Sequence, residues 1–150
     1  MNDIGLFQKI LLAVDLSSNC NNSIEIAAAL GLAGQADVEI LHIPEFFVSP
    51  EESINLEEPV EVEKILESYL EYLLKRGVKA RKTILGSAGT HGQVASLILA
   101  HAQKTNAELI IIGHSLKGRI SHLLVGNVTS ELTRKPPCSV LVVKGCYEKD

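Results

Sequence analysis

The sequence is poor in the residue types that would support several common classes of protein. Its three cysteines, Cys20, Cys138 and Cys146, share no metal-binding spacing, and their odd number argues against a disulfide scaffold. Lys and Arg total 14 against 18 Asp and Glu, so the concentrated positive charge that nucleic-acid binding needs is missing. No apolar run is close to the ~20 residues that span a bilayer, and the start MNDIGLFQK does not read as a signal peptide. These absences predict a cytoplasmic protein that binds neither nucleic acid nor membrane.

The composition is that of one soluble globular domain. The chain has 150 residues, of which 46% are hydrophobic and 21% are charged. This length is enough to bury a core without disulfides or metals. A single domain over residues 1–150 is therefore expected.

Five short apolar segments are predicted to be strands: 9–14, 38–43, 78–85, 108–113 and 139–144. The segment at 108–113 is the most hydrophobic and is predicted to be central, whereas the alternation in 78–85 favours a place near the sheet edge. Helical patterns separate the strands. The fold class is therefore α/β, an open five-stranded parallel sheet with helices on both faces.

Four helices are predicted from the spacing of apolar residues, one in each segment between the strands. The second of them ends in Lys75 and Arg76 followed by Gly77, a typical helix stop. Pro136 and Pro137 end the fourth. Residues 44–59 carry three prolines and no steady period, and they are predicted to form a long loop of the kind that is often functional or disordered.

In open parallel sheets, ligands bind beyond the carboxyl ends of the strands, where the strand order reverses. The residues predicted to emerge there are Asp15, Ile43–Pro44, Gly86 and Gly113–Ser115. Asp15 either holds a polar group of a ligand or caps the first helix, and we favour the ligand.

The stretch IIIGHSLKGRISHLLVGNV, residues 110–128, is the strongest candidate for a ligand-binding segment. A continuous helix over 119–134 would place Gly126 in its interior, at a cost of ~1 kcal/mol. Alternatively, a new helix begins at Asn127, a good N-cap, and its free N–H groups form an anion site. The spacing G-x2-L-x9-G-N matches neither a Walker P-loop nor the G-x-G-x-x-G fingerprint, so it leaves both alternatives open.

The whole chain resembles the universal stress protein family. KILLAVDLS, ILHI, IIIG and CSVLVVK are similar to its first, second, fourth and last strands, and GHSLKGRISHLLVGNVTSELTRKPP to its glycine motif. The resemblance implies a Rossmann-like fold of the adenine nucleotide alpha hydrolase type. It also implies a homodimer that pairs through the last strand, around Val140 and Val142. An unpaired apolar edge at SVLVVK independently favours that pairing.

Members that bind ATP are similar to one another in the pattern G-x2-G-x9-G-(S/T). Carried across, Gly113 and Gly126 match the first and third glycines, Leu116 replaces the second, and Asn127 replaces Ser or Thr. The resemblance implies a site for ATP, with Mg²⁺, or for AMP, and the residues that it assigns to this site are Ala13, Asp15, Ile43, Gly113, Ser115, Gly126, Asn127 and Val128. The bulk of Leu116 is the main departure from the pattern.

The remaining candidates point to no catalysis. His42 lies inside an apolar strand and is predicted to be a core residue, and His114 and His122 have no third partner for a metal. No nucleophile has a recognisable base, so no catalytic residue is assigned and at most slow ATP hydrolysis or self-phosphorylation is expected. Two hypotheses follow: a nucleotide-binding homodimeric switch of the stress response, which we favour, and a nucleotide-free dimer that acts through protein interaction.

Overall fold

A computed structural model describes residues 6–16, 22–44, 46–48, 53–55, 59–86, 91–114 and 129–144. The described strands are numbered in chain order, and two short ones, β3 (Phe46–Val48) and β4 (Ser53–Asn55), form a separate sheet. The main sheet has five parallel strands: β1 (Lys9–Ala13), β2 (Asp37–His42), β5 (Lys79–Ile84), β6 (Leu109–His114) and β7 (Ser139–Lys144). Their order across the sheet is β5-β2-β1-β6-β7. The predicted fold class is confirmed, and every predicted strand lies within one residue of its observed bounds.

The central strand is β1, which pairs with β2 on one side and with β6 on the other. The prediction that the segment 108–113 is central was therefore wrong, although β6 is an interior strand. Its hydrophobicity reflects burial on both faces, a property that it shares with β1. The predicted edge position of β5 is confirmed, and β7 forms the opposite edge.

Three helices are described in full: α1 (Asn22–Gly34), α2 (Pro59–Lys75) and α3 (His91–Thr105). Residues 129–134 are also helical and lead to Pro136 and Pro137, as predicted. None of the helices within the described ranges is long and apolar enough to cross a membrane.

The side chains of β1 alternate between two apolar clusters, one on each face of the sheet. Ile10 and Leu12 point into the α1–α2 cluster, which also contains Ile24, Ala27, Val38, Ile40, Val62, Leu66 and Leu73. Leu11 and Ala13 point into the α3 cluster, which also contains Leu41, Ile43, Ala95, Ile98, Ala102, Ile110, Ile112 and Leu132. The period-two alternation of one strand therefore joins both layers of helices to the sheet.

The segment predicted as a loop over 44–59 contains two short strands, β3 (Phe46–Val48) and β4 (Ser53–Asn55). They pair antiparallel in a small separate sheet, with Phe46 opposite Asn55. The loop prediction was wrong at these six residues. Three-residue strands are too short to show a periodicity that sequence reasoning can detect.

All three described helices end in the same left-handed turn on the amino edge of the sheet. Gly77 has a φ of 81° and follows α2, as its sequence predicts, whereas Gln35 (φ 50°) and Asn106 (φ 56°) take the same place after α1 and α3. After α1, the N–H of Ala36 donates to the carbonyl of Gly31 at 2.9 Å, and the N–H of Gln35 donates to that of Leu32 at 3.3 Å. This pair of bonds is the Schellman motif.

Glutamine is an unfavourable residue for this conformation, because its Cβ approaches the following carbonyl. Gln35→Gly is expected to raise the free energy of unfolding by roughly 0.5 kcal/mol, a balance between the relief of that strain and the greater backbone entropy of glycine when unfolded. Urea denaturation measures the change. Gln103→Gly, at an exposed position inside α3, is the matched control and is expected to destabilise by about 1 kcal/mol. If both substitutions destabilise equally, the left-handed turn at residue 35 is not a source of strain.

Candidate functional site

The strand order reverses at β1, between the carboxyl ends of β1 and β6, which is the position where open parallel sheets form a ligand-binding crevice. The chain leaves β1 toward α1 on one face, and it leaves β6 toward the helical segment 129–134 on the other. Ala13 is opposite Ile112 of β6 and Leu41 of β2 in the register. The residues that follow these three positions therefore form one rim.

Four of the eight predicted site residues lie on this rim. Ala13 ends β1 and Ile43 follows β2, and the side chains of both are buried in the α3 cluster. Gly113 is one residue beyond Ile112, and Asp15 is two residues beyond Ala13 and exposed. The other four predicted residues, together with Leu116, lie outside the described residues: Ser115, Gly126, Asn127 and Val128.

Asp15 is the charged group of the rim. Burial, together with the nearby negative charge of Asp15, raises the pKa of Tyr69 above its ordinary value. Tyr69 lies on α2 and packs, partly buried, against the same apolar cluster as Val14 and Leu16, the neighbours of Asp15 in the chain. The negative charge of Asp15 is therefore felt on α2 as well as at the end of β1.

The backbone beside Asp15 is held by a buried histidine. His42 is 3% exposed, and its Nδ1 lies 2.9 Å from the carbonyl oxygen of Val14. Because a carbonyl only accepts, Nδ1 carries the proton and donates it. The N–H of Val14 donates in turn to the carbonyl of Leu41 at 2.9 Å. The prediction of His42 as a satisfied core residue is confirmed, and the structure adds that this residue fixes the turn that presents Asp15.

Gly113 lies next to the first turn of α1, with room for a methyl group. A Cβ added there would lie 3.7 Å from Oγ and 3.9 Å from Cβ of Ser23, which is ordinary van der Waals contact. Alanine therefore fits the folded chain at residue 113. Any stronger requirement for glycine at this position must come from a group that lies against the backbone in the crevice.

Thr129 is a polar residue of this region that the sequence analysis did not identify. It begins the described helical segment directly after Val128, and its hydroxyl is buried without a hydrogen-bond partner among the described residues. Buried hydroxyls normally have a hydrogen-bond partner, so Thr129 is an exception among the described residues. The available signal was its place in the sequence, where only Val128 separates Thr129 from the pair Gly126–Asn127.

A second polar cluster lies away from the crevice, around the buried carboxylate of Glu39 in the middle of β2. Its Oε1 is 2.6 Å from Nε2 of His101 on α3, and its Oε2 accepts from Nε of Arg81 at 2.8 Å and from Oγ1 of Thr83 at 3.0 Å. Burial alone raises the pKa of Glu39, but the hydrogen bonds from His101, Arg81 and Thr83 outweigh it and hold the pKa below its ordinary value of 4.5. This cluster ties α3 and the edge strand β5 to β2.

Replacement of the Glu39 carboxylate is expected to weaken the fold in a pH-dependent way. Glu39→Gln should lower the free energy of unfolding by about 2 kcal/mol at neutral pH, because three donors lose a charged acceptor. A lowered native pKa stabilises above the unfolded value of 4.5, so the difference from wild type should disappear as the pH falls below 4.5. Urea denaturation at several pH values measures it.

Glu71→Gln, on the exposed face of α2, is the matched control and should change stability by less than about 0.5 kcal/mol at any of these pH values. A Glu39→Gln difference that stays constant between neutral pH and pH values well below 4.5 would contradict the linkage.

Neither a metal site nor a reactive thiol stands out in the described ranges. These residues contain no group of three or more His, Cys, Asp or Glu that could hold a metal ion. Cys138 is partly buried against the α3 cluster, and burial raises the pKa of its thiol. A raised pKa lowers the fraction of reactive thiolate. Of the other candidates, Cys20, Cys146 and His122 lie outside the described residues.

The fold and the crevice together define a class: open parallel α/β proteins that bind ligands where the strand order reverses. A sequence model of the Universal stress protein family matches residues 6–144. The chain therefore belongs to the universal stress protein family, as its resemblance implies. One relative, the universal stress protein YxiE of Bacillus subtilis, is 28% identical over 93% of this chain and 100% of its own length.

Similar solved structures place the same architecture in other members of the family. The universal stress protein UspA of Lactobacillus plantarum has a TM-score of 0.71 at 18% identity, covering 91% of this chain and 97% of that one. A universal stress protein of Archaeoglobus fulgidus in complex with dAMP has a TM-score of 0.66 at 20% identity, covering 91% and 98%. Two further universal stress proteins of similar fold, with TM-scores of 0.66 and 0.61, are in complex with cAMP and bound to AMP. Three of these similar structures thus contain an adenine nucleotide.

Proposed function

We propose that this protein is a binding module of the stress response that holds an adenine nucleotide, ATP or AMP, in the crevice at the carboxyl ends of β1 and β6. The observation that carries the proposal is the meeting of Asp15 and Gly113 at the reversal of strand order. The nucleotide complexes of the similar universal stress proteins support it.

Each residue of the rim has a distinct task in this proposal. The Asp15 carboxylate accepts hydrogen bonds from the adenine amine or the ribose hydroxyls, in the position that His42 fixes through Val14. Gly113 lets the ligand lie against the backbone, where a side chain would intervene. The hydroxyl of Thr129, which has no partner among the described residues, is proposed to bind a polar group of the ligand. If ATP is the ligand, Mg²⁺ is expected to accompany its phosphates.

The nucleotide would act as a switch rather than as a substrate. Its binding is proposed to change a surface that partners recognise. The described residues of the rim include no nucleophile–base pair, and we expect at most slow hydrolysis of ATP.

Leu116 and Asn127 favour a second candidate function, a nucleotide-free dimer that acts through protein interaction. Both replace motif residues of the ATP-binding relatives, and leucine adds bulk where a glycine brings phosphates close to the backbone. The two functions differ in one measurable property, the affinity for the nucleotide.

Calorimetric titration with AMP, and with ATP plus Mg²⁺, is expected to show saturable binding by the native chain. Asp15→Asn should weaken binding roughly 10- to 100-fold, because hydrogen bonds to a charged group contribute about 1.5–3 kcal/mol. Asp37→Asn is the matched control, since Asp37 is an exposed carboxylate at the amino end of β2, and it should leave the affinity unchanged. Mass spectrometry of ligand released from the purified protein identifies the nucleotide independently.

Two results would decide against the proposal. If the native chain gives no heat while Leu116→Gly binds, the nucleotide-free function is correct and Leu116 is its cause. If the native chain binds with an affinity that survives both Asp15→Asn and Gly126→Val, the nucleotide occupies a different site.

We also propose that two copies pair through β7, as the apolar sequence of this edge and the family resemblance imply. Val142 is 36% exposed, and Val140 and Leu141 are partly buried on this outer strand of the sheet. The opposite edge, β5, carries exposed Lys79 and Arg81 instead. Charged edge strands resist self-pairing, so the apolar edge is the one suited to a second copy.

Light scattering is expected to give twice the 16.2 kDa mass of one chain for the native protein. Val142→Lys should yield monomers, because it places two like charges in the paired edge. Val60→Lys, at a position on α2 that is 62% exposed, is the matched control and should remain dimeric. A dimer that persists in Val142→Lys would exclude this interface.

A further inference from the structure

The edge strand β5 has backbone groups on its outer side that pair with no other described strand, and it carries exposed charge. It pairs with β2 along its full length, from Lys79 opposite Asp37 to Ile84 opposite His42, and none of the other described strands covers its outer side. Edge strands with free N–H and C=O groups are the sites at which proteins add an extended peptide as a further strand.

The direction of these groups follows from one hydrogen bond. The N–H of Leu85 donates to the carbonyl of His42 at 3.1 Å, so Leu85 points its backbone toward β2. Because backbone direction alternates along a strand, Ala80, Lys82 and Ile84 point their N–H and C=O groups outward. The outward N–H and C=O groups of these three residues can form the backbone hydrogen bonds of an added strand about six residues long.

The two faces of β5 differ in chemistry. The α3 side carries every second side chain of β5: Lys79, Arg81 and Thr83. Lys79 is exposed, and the side chain of Arg81 is 67% exposed although its Nε is bonded to Glu39. On the α2 side, the Lys82 ammonium is paired with two carboxylates, those of Glu63 and of Glu67 at 2.7 Å, so this group has one negative charge in excess, and Ile84 is 42% exposed. One face is therefore cationic and the other offers an apolar side chain.

Two basic side chains of this edge stay exposed in a chain that is acidic as a whole: Lys79, and Arg81, whose Nε is bonded to Glu39. The net charge of the chain is -4. Like charges opposite one another destabilise a strand pair, so this edge disfavours a second copy of itself. The same charges favour an acidic strand.

We propose that β5 is a docking edge for an extended acidic segment of a partner protein, one that alternates carboxylate and apolar residues and adds a sixth strand to the sheet. Its carboxylates face Lys79 and Arg81, and its apolar side chains lie along Ile84. The site is separate from the crevice and from the β7 edge, so it does not depend on nucleotide binding or on dimerisation.

A blocked, fluorescently labelled peptide Glu-Val-Glu-Val-Glu-Val is the probe for the full-length protein. Fluorescence anisotropy is expected to show saturable binding that weakens as salt is raised, and no binding of Lys-Val-Lys-Val-Lys-Val. Hydrogen exchange followed by NMR should show new protection of the Ala80, Lys82 and Ile84 amides in the presence of the acidic peptide. Binding of both peptides alike, or protection elsewhere without protection of these three amides, would overturn the proposal.

Matched variants separate charge from backbone pairing. Lys79→Glu should weaken peptide binding roughly fivefold, whereas Lys104→Glu, an exposed charge reversal on α3, should not. Ile84→Pro removes an outward N–H and should bind roughly fivefold more weakly than Ile84→Ala, which keeps it. Circular dichroism confirms that each variant is folded, and the exchange pattern of the native chain tests the site even where a variant is not.

Two outcomes would assign the edge differently. Protection of the same three amides at high protein concentration without peptide would show that a second copy occupies β5. Peptide binding that is lost in Val142→Lys but kept in Lys79→Glu would place the acidic segment on β7. Either result excludes the proposed partner.

Discussion

The pairing of β1 with β2 on one side and β6 on the other is the constraint on which the rest of the molecule depends. Through it, alternate side chains of a five-residue strand reach both apolar clusters. The same pairing makes the chain leave β1 and β6 in opposite directions. A crevice at that point is therefore a consequence of topology, and it needs only suitable residues at the strand ends to become a binding site.

The buried polar groups fix the relative positions of backbone segments, which apolar contacts alone do not determine. His42 holds the backbone of Val14, and Glu39 joins β5 and α3 to the inner strand β2. Each of these side chains is satisfied by partners from other elements, so neither carries the penalty of an unpaired buried group. They add geometric definition to a core whose apolar contacts are not directional.

The residues that sequence reasoning placed correctly are those whose signal is local. Strand bounds follow from short apolar runs, and the end of α2 follows from Gly77. The position of β6 in the sheet was not predictable in this way, because β1 and β6 are similarly apolar and strand order depends on the crossovers. Glu39 was missed because its partners Arg81 and His101 are 42 and 62 residues away in the chain.

Asp15 and Gly113 could be placed on one rim from the sequence, because the carboxyl ends of parallel strands share an edge. The buried hydroxyl of Thr129, without a hydrogen-bond partner in the described part of the chain, could not be predicted from the sequence, because burial is a property of the folded chain.

The three left-handed turns that end the helices set a limit on how the chain can vary. Each joins a helix to the next strand within a few residues, and Gln8 ties two of these junctions to β1 through bonds to Asp37 and Glu108. One residue added to such a connection would turn every side chain of the following strand to the opposite layer. The connections at the carboxyl rim have no such limit on their length, so insertions that add a binding surface are expected to be tolerated better there than at the helix ends.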